Sequence, residues 1–489
     1  MSTTYILYND VAPMAEGDAA PLATGAAPFA DASLLPFGVR PGKIATLEQG
    51  QWKLSGDYQF LGDKKVAFWS VELSNEDCGF SINPSIEVSF SQQHTAPGIT
   101  FEFDPDGGNY IAELNIKWYR GDELLADVDF TPDGTEYFCR HDVTAFDRLV
   151  FTLSKTNLPG RRAKVNRIYF GRIRRFGMES IRSASIIRES NLLSSELPAS
   201  TLDVSIDDHR DLGFMFQRKQ PVEAWHDNKR LGVFYITEHT RTGSNLYTLK
   251  CGDALEVLDE SNFPGGYYDS VSAMEILRSI IEPDFSLSFD GAPDIELSGI
   301  ISSCTRREAS QQVMFAAGWV AATDIGNGIR IFSLDDHMKQ IGKNRVYSGA
   351  QSAVSALTTE VRVIARSYSK SAQGGLEING EKYEDTESVF TVTNPVVSAN
   401  DKASVVEVTD ATLVSPGIAQ EVAQRVFNYY QLRQRDSAKI VWDGERVGDF
   451  VQIPTAWEDN HSGHIEKMTI TLSNTVAASI EVLGEVQEG

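Results

Sequence analysis

At 489 residues the chain is too long for one ordinary core and is expected to divide into about three or four domains. Its 44 Lys and Arg stand against 68 Asp and Glu, a formal net charge of -24, which excludes wrapping of nucleic acid by phosphate neutralisation as the work of the whole surface. Hydrophobic content of 42% leaves ample apolar surface to bury, 38 Gly and 18 Pro favour turns over long helices, and the longest apolar-rich run, around Val313 to Ala322, is far too short to span a bilayer.

The N-terminus lacks a basic segment followed by an apolar core, so a soluble protein made in the cytoplasm is expected. Cys78, Cys139, Cys251 and Cys304 form no C-x-x-C pair and read as buried free thiols. Residues 3–8 read as a short strand and 11–36, rich in Ala, Pro and Gly, as an irregular arm, so that 1–41 form an N-terminal strand and arm. From 42 to 178 short alternating stretches at 86–90, 99–103, 114–118 and 149–153 are separated by turn signals at 104–108 and 132–134. Strands at that spacing, with no strong helix between them, predict a two-sheet sandwich. Asp104 and Asp106 fit a Ca²⁺ site less well than the turn that Asp-Pro-Asp-Gly-Gly ordinarily makes. Trp52 and Trp118 are expected in the core rather than as sugar platforms. Within 161–175, Arg161, Arg162, Lys164, Arg167, Arg172, Arg174 and Arg175 occur with no acidic residue among them. This charge anomaly has two readings: a surface strand with solvated outward positions, or a subunit interface against acidic surface.

In 201–259, Leu202, Val204 and Ile206 alternate with Asp203, Ser205 and Asp207, the chain turns at 207–210, and strands follow at 222–225, 231–236 and 246–250 with reversals at 227–228 and 242–245. The close spacing predicts a first small barrel within 179–262. Ser272 and Glu275 form a capping box that opens a helix with Met274, Leu277 and Ile281 on one face, and Pro283 ends it. Thr305 and Glu308 open a second helix, which Gly318 closes before a hairpin over 319–334 that turns at 324–328, making 263–345 a helix-hairpin α+β domain. Those glycines precede a strand, so they are not a phosphate loop. Residues 346–489 read as an α+β segment and a second barrel, with strands at 360–365 and 388–392, a helix over 418–432, and strands at 439–442, 448–453, 464–472 and 480–486. A faint echo between 247–258 and 468–483, both ending in Glu-Val-Leu, suggests that the barrels are copies. His461 and His464, placed in a loop, lack the further ligand a metal would need. No nucleophile elbow, zinc-binding helix or Walker loop is present, so no catalytic residue, cofactor or metal is expected.

The order of pieces in the second half resembles the hub proteins of phage tails and contractile injection machines, including the hub-like part of tail-associated lysins. A strand ending in Ser-Ile-Asp207 is followed by Val222 and Trp225, by Leu-Gly-Val-Phe-Tyr-Ile at 231–236, and by Tyr-Thr-Leu-Lys-Cys-Gly-Asp at 247–253 with Leu255 and Leu258. Phe-Pro-Gly-Gly-Tyr-Tyr at 263–268, a helix ending in Tyr429 and Tyr430, a Gly-Asp strand and a final strand pair complete it, so the resemblance spans about 183–486. Upstream, Ala-Thr-Leu-Glu at 45–48 with Trp52, Leu54 and Gly56, then Phe68, Trp69, Ser70, Leu73 and Ser74, resembles the galactose-binding-like, discoidin-type sandwich over about 43–176.

These resemblances imply a mainly β chain with minor α+β: an N-terminal β-sandwich, then a hub fold with two small β-barrels and helix-containing α/β insert domains. They imply a structural virion protein assembled in the host cytoplasm: a homotrimeric tail-tip or baseplate hub that closes a six-fold tail tube and adapts it to a three-fold tip. Its partners would be tail tube or distal tail ring proteins and a central fibre or spike, and DNA would pass through an acidic or neutral channel without sequence-specific binding. The alternative from another class is an adhesin whose sandwich binds host cell-wall glycan. A peptidoglycan-degrading lysin is the less expected third, because lysin-type hubs append a catalytic domain and this chain ends within a few residues of the last strand of the resemblance.

Overall fold

Alternating apolar residues become long antiparallel strands across most of the molecule, which is mainly β as expected. The computed structural model describes residues 4–12, 14–38, 42–51, 56–208, 216–227, 229–282, 284–323, 328–335, 337–347, 350–397, 402–454, 460–473 and 476–486. Trp52, Leu54, His209, Arg210, Asn228, Pro283 and 324–327, which several of the expected motifs and turns include, lie outside the described residues. Two units are formed, one of Tyr8–Arg174 and one of Met1–Leu7 with Arg175–Gly489.

In the first unit one sheet runs in the order Ala20–Thr24, Ser85–Glu102, Glu136–Thr156, Ile111–Arg120 and Glu123–Phe130, with Arg167–Tyr169 also on Ser85–Glu102. Phe68–Leu73 pairs separately with Arg162–Val165. Two of the expected strands at 86–90 and 99–103 are one continuous strand, whose register shifts between Ser89 and Gly98 mark bulges that bend it. Phe101, Phe103, Phe146, Phe151 and Trp118 fill the core, which places Trp118 where large aromatics of a sandwich belong. The segment expected as an irregular arm departs from that reading. It carries a short helix, Ala15–Asp18, a strand, Ala20–Thr24, and a 3₁₀ turn, Ala32–Leu34, because Ala12, Ala15, Ala27 and Leu35 are buried and small side chains let the backbone lie close to the sheet. Asp18 fixes the helix end: its carboxylate accepts from the backbone N–H of Ser91 (3.0 Å) and Gln92 (3.1 Å), from the Ser91 hydroxyl, and from His94 Nε2 at 2.8 Å.

In the second unit the two strand sets expected as separate small barrels lie in one continuous sheet. Its path runs Pro221–His226, Lys229–Thr242, Leu246–Gly252, Thr201–Asp207, Ile181–Glu189, Asn460–Thr471, Ala477–Glu485, Leu432–Val441 and Gln351–Val354, with Phe450–Pro454 also on Asn460–Thr471. The join is the antiparallel pairing of Ile181–Glu189 with Asn460–Thr471, from Ser185 opposite Thr471 to Glu189 opposite Lys467. On each side the joining strand is followed outward by its neighbour in sequence, Thr201–Asp207 on one side and Ala477–Glu485 on the other. Leu202, Val204 and Ile206 all face inward and are buried, as their alternation predicts. The echo between 247–258 and 468–483 has no structural counterpart, since Ala254–Asp259 is a helix whereas Ala477–Glu485 is a strand.

The helices follow their caps. Thr305 and Glu308 make the full reciprocal capping box of Arg306–Ala317, and Gly318 ends it at a φ of 73°, with the Arg425 side chain packed so close that an added methyl would collide. Ser272 caps Ala273–Ile281 through the Glu275 N–H, and the buried face is Ala273, Ile276, Leu277, Ile280 and Ile281, with Met274 only partly buried. The third helix, Ala419–Gln431, buries Val422, Ala423, Val426 and Phe427. Asp253, in the Gly-Asp of 247–253, caps Ala254–Asp259 and also accepts from Ser200 N–H at 2.7 Å and from the Thr323 hydroxyl, tying strand, helix and hairpin together. Replacing Thr305 with Ala removes the N-terminal cap of Arg306–Ala317 and should lower stability by about 1 kcal/mol in urea denaturation, with Thr305→Ser largely retaining it.

Candidate functional site

The basic stretch 161–175 can now be followed residue by residue. Most of its cations are engaged within the molecule. Lys164 is buried in the sandwich, its ammonium 2.8 Å from Glu48 Oε2, 3.2 Å from Asp104 Oδ2 and 4.4 Å above the Trp69 ring. Arg161 donates to Gln49 O at 2.6 Å, and Arg162 donates to the carbonyls of Ser70 and Val71. Arg167 pairs with Glu16 at 3.0 Å, donates to Pro36 O and lies over Tyr169. Arg172 covers the Phe138 ring at 4.8 Å, Arg175 covers Tyr5 at 4.6 Å, and Arg174 is half-buried. The chain spends much of this local positive charge on carbonyls, carboxylates and ring faces that no sequence rule pairs with it.

The Lys164 cluster lies beside the turn at 104–108. Asp104 accepts from Gly107 N–H at 3.0 Å and from Asn109 Nδ2 at 2.8 Å, and Asp104 bridges Asn109 across the reversal, so the stretch is the turn its composition suggests. A cavity lined by Tyr58, Trp69, Asp104, Asp106, Lys164 and Asn166 opens here, with a volume of about 30 Å³. That is room for about one water molecule, and the Trp69 face is already covered by an ammonium.

In the second unit, the join between the two strand sets gathers the charged side chains of both. Glu189 pairs with Lys467 directly across it, and Arg435 pairs with Glu466 and, at 3.7 Å, with Glu481. Tyr429, the first of the paired tyrosines, donates to Glu466 at 3.0 Å, and burial pushes its phenol up. Arg188, on the same strand as Glu189, is buried and donates to the carbonyls of Leu231 and Thr323. His461 and His464 sit in the strand Asn460–Thr471 rather than in a loop. His461 Nδ1 is 2.6 Å from the buried Asp436 carboxylate, and His464 Nδ1 is 3.0 Å from Gly448 O, so the two rings hold strands together instead of converging on one point. Among the described residues no cluster of three or more His, Cys, Asp or Glu has the geometry of a metal site.

Sequence reasoning missed Glu48, Asp18 and Asp253. Each is a single carboxylate with partners far along the chain, Asp253 in addition to its local cap, so spacing carried no signal of those contacts.

No family model matches the chain, and no curated protein does. Among solved structures the chain is similar to the tail protein from Neisseria meningitidis MC58, at 12% identity over 62% of this chain and 95% of that one, with a TM-score of 0.47. It is similar also to the 43 kDa tail protein of prophage MuSo2 from Shewanella oneidensis, at 11% identity over 64% and 95%, with a TM-score of 0.45. Both of these neighbours are tail proteins, the second of a prophage. A galactose-binding-like module is among the neighbours as well: the family 32 CBM from C. perfringens NanJ, at 11% identity over 34% of this chain and 97% of that one, with a TM-score of 0.21.

Two expectations follow. Removing one partner of the buried Lys164 cluster strands a desolvated carboxylate, so Lys164→Ala should cost about 3–5 kcal/mol in denaturant unfolding, whereas Arg167→Ala, at a half-exposed pair, should cost under about 1 kcal/mol. Hydrogen bonds from the Ser91 hydroxyl and from His94 hold the Asp18 carboxyl well below the usual carboxylate range. A folded pKa below the unfolded one contributes stability above about pH 4 that is lost as pH falls, so Asp18→Asn should flatten the acid side of the stability profile between about pH 5 and pH 2, read from urea midpoints across that range.

Proposed function

We propose that this chain is a structural hub of a phage tail tip or baseplate, present in the virion and without catalytic activity of its own. The observation that carries the reading is the single sheet of the second unit, in which two strand sets from distant parts of the chain meet at Ile181–Glu189 and Asn460–Thr471. The pieces quoted above for 183–486 fall on that sheet, on the helices Ala254–Asp259 and Ala419–Gln431 and, at 263–268, on two short strand pairs. A chain with two comparable antiparallel strand sets presents six of them as a homotrimer. Six is what a hexameric tail tube offers, and three is what a central fibre or spike needs.

In this reading tail tube or distal tail ring proteins contact one side of the ring, the fibre or spike the other, and the acidic excess of the chain faces a DNA conduit, where like charge keeps phosphates from sticking. The half-buried cations of 161–175, Arg172 and Arg174 among them, would meet acidic surface on a neighbouring tail component. An adhesin reading of the sandwich finds no support in the small cavity beside Lys164.

The deciding measurement is the symmetry of the assembled particle by electron microscopy, with native mass of the isolated chain beside it. A three-fold ring stacked on a six-fold tube is expected. A four- or five-fold ring, or a chain found only outside particles, overturns the reading.

A further inference from the structure

Val405–Val408 is the last strand of a four-stranded sheet ordered Leu376–Ile378, Glu381–Thr393, Glu360–Lys370, Val405–Val408. It runs parallel to Glu360–Lys370, with Val406 beside Val361 and Val408 beside Val363. Val361, Val363 and Ala365 are buried on the face that packs on the helix Ala419–Gln431, and Val406 and Val408 lie partly buried on that same side. The helical layer extends further than the sheet does. Beyond Val405–Val408 a cavity of about 400 Å³ is lined by the partly buried Val406, Val408 and Tyr430 and by the buried Leu193, Phe315 and Val426, and is edged by Glu407 and Asp410. The edge strand contains neither the lysine nor the proline that commonly guards a sheet edge.

We infer that this groove is the seat of a fifth strand supplied by a partner protein: an extended segment with apolar side chains at alternate positions and lysine or arginine between them. The geometry follows from strand spacing. A strand added about 4.8 Å outside Val405–Val408 lies beside the helix Ala419–Gln431, so every second side chain points towards the partly buried Tyr430, and the backbone pairs with the edge. The sign of the partner follows from the lining, which among the described residues holds two carboxylates and no lysine, arginine or histidine. Neither Glu407 nor Asp410 is in an ion pair among the described residues, and Arg362, beside Glu407 in register, is paired with Glu360. The polar groups at the groove wall are already engaged, Gln312 Oε1 by the Thr412 hydroxyl at 2.6 Å and Gln311 Nε2 by Ser194 O at 2.8 Å, so the wall is set before a partner arrives. A second copy of this chain, with its net charge of -24, brings the wrong overall sign for that seat.

The test uses the full chain and three fluorescein-labelled peptides: Lys-Val-Lys-Val-Lys-Val, the same peptide with its central Val replaced by Pro, and Glu-Val-Glu-Val-Glu-Val. Anisotropy titrations should show the first binding at least about tenfold more tightly than the other two, since proline breaks the backbone ladder and glutamate reverses the charge. The double variant Glu407→Lys with Asp410→Lys should weaken the first peptide by at least about tenfold, and hydrogen exchange at 405–408 in the unaltered chain should slow when that peptide is added. Equal binding of the proline peptide, an unchanged affinity in the double variant, or unchanged exchange at 405–408 each overturns the inference. Self-association of the chain that the double variant abolishes also overturns it, in favour of a second copy. These readouts are independent of particle symmetry, so this inference and the hub reading can fail separately.

Discussion

Backbone groups buried in a sheet must find partners, and in the second unit the requirement is met by one pairing between distant segments, Ile181–Glu189 with Asn460–Thr471. Ile186 and Ile470 stand opposite each other there, both buried, and Arg188 stands opposite Met468. Without that contact each strand set would present an open edge, with its row of unpaired N–H and C=O groups. The charged side chains arranged about the join, Glu189 with Lys467 and Arg435 with Glu466, then fix which way each strand faces. Arg188 reaches from the joining strand to the hairpin strand that carries Leu231 and to Thr323 beyond the second helix, so the helical layer is referenced to the same line.

The first unit solves a different problem with the same chemistry. Its charge centre at Lys164 is desolvated, and its stability depends on keeping both Glu48 and Asp104 in place. The ammonium lies over the Trp69 ring and covers one of its faces. Asp18 performs the equivalent service at the other end of the sequence, holding a four-residue helix against a strand. At Asp18 a single carboxylate accepts from several donors, an arrangement that favours its ionised form.

Local signals in the sequence read well. The alternation of Leu202, Val204 and Ile206, the boxes opened by Ser272 and Thr305, the stop at Gly318 and the helix near 418–432 all reappear with boundaries shifted by a residue or two, because each is set by neighbours in the chain. Long-range choices were not legible. Nothing in 86–103 tells whether two strands or one bulged strand will form, since that depends on the partner strand Glu136–Thr156. The small residues of 11–36 read as an arm because they lack side chains that advertise a strand, yet that smallness is what brings them against the sheet. The cations of 161–175 read as surface, and their partners could not be named without coordinates, as Glu16, Glu48 and Phe138 carry no pattern linking them to arginine or lysine. The apparent copy of 247–258 at 468–483 failed because similar letters served a helix in one place and a strand in the other, the usual outcome when packing outweighs propensity.

The distance in sequence across the central join has a temporal side. Ile187 leaves the ribosome long before Thr469, its partner, has been made, and at about 5–20 residues per second the wait is on the order of tens of seconds. For that interval the strand carrying Ile186 has one edge covered by Thr201–Asp207 and the other bare, in a cytoplasm crowded with identical nascent chains. Folding of the second unit is thus bound to completion of the chain, and the rate of translation becomes part of what keeps the edge from finding the wrong strand.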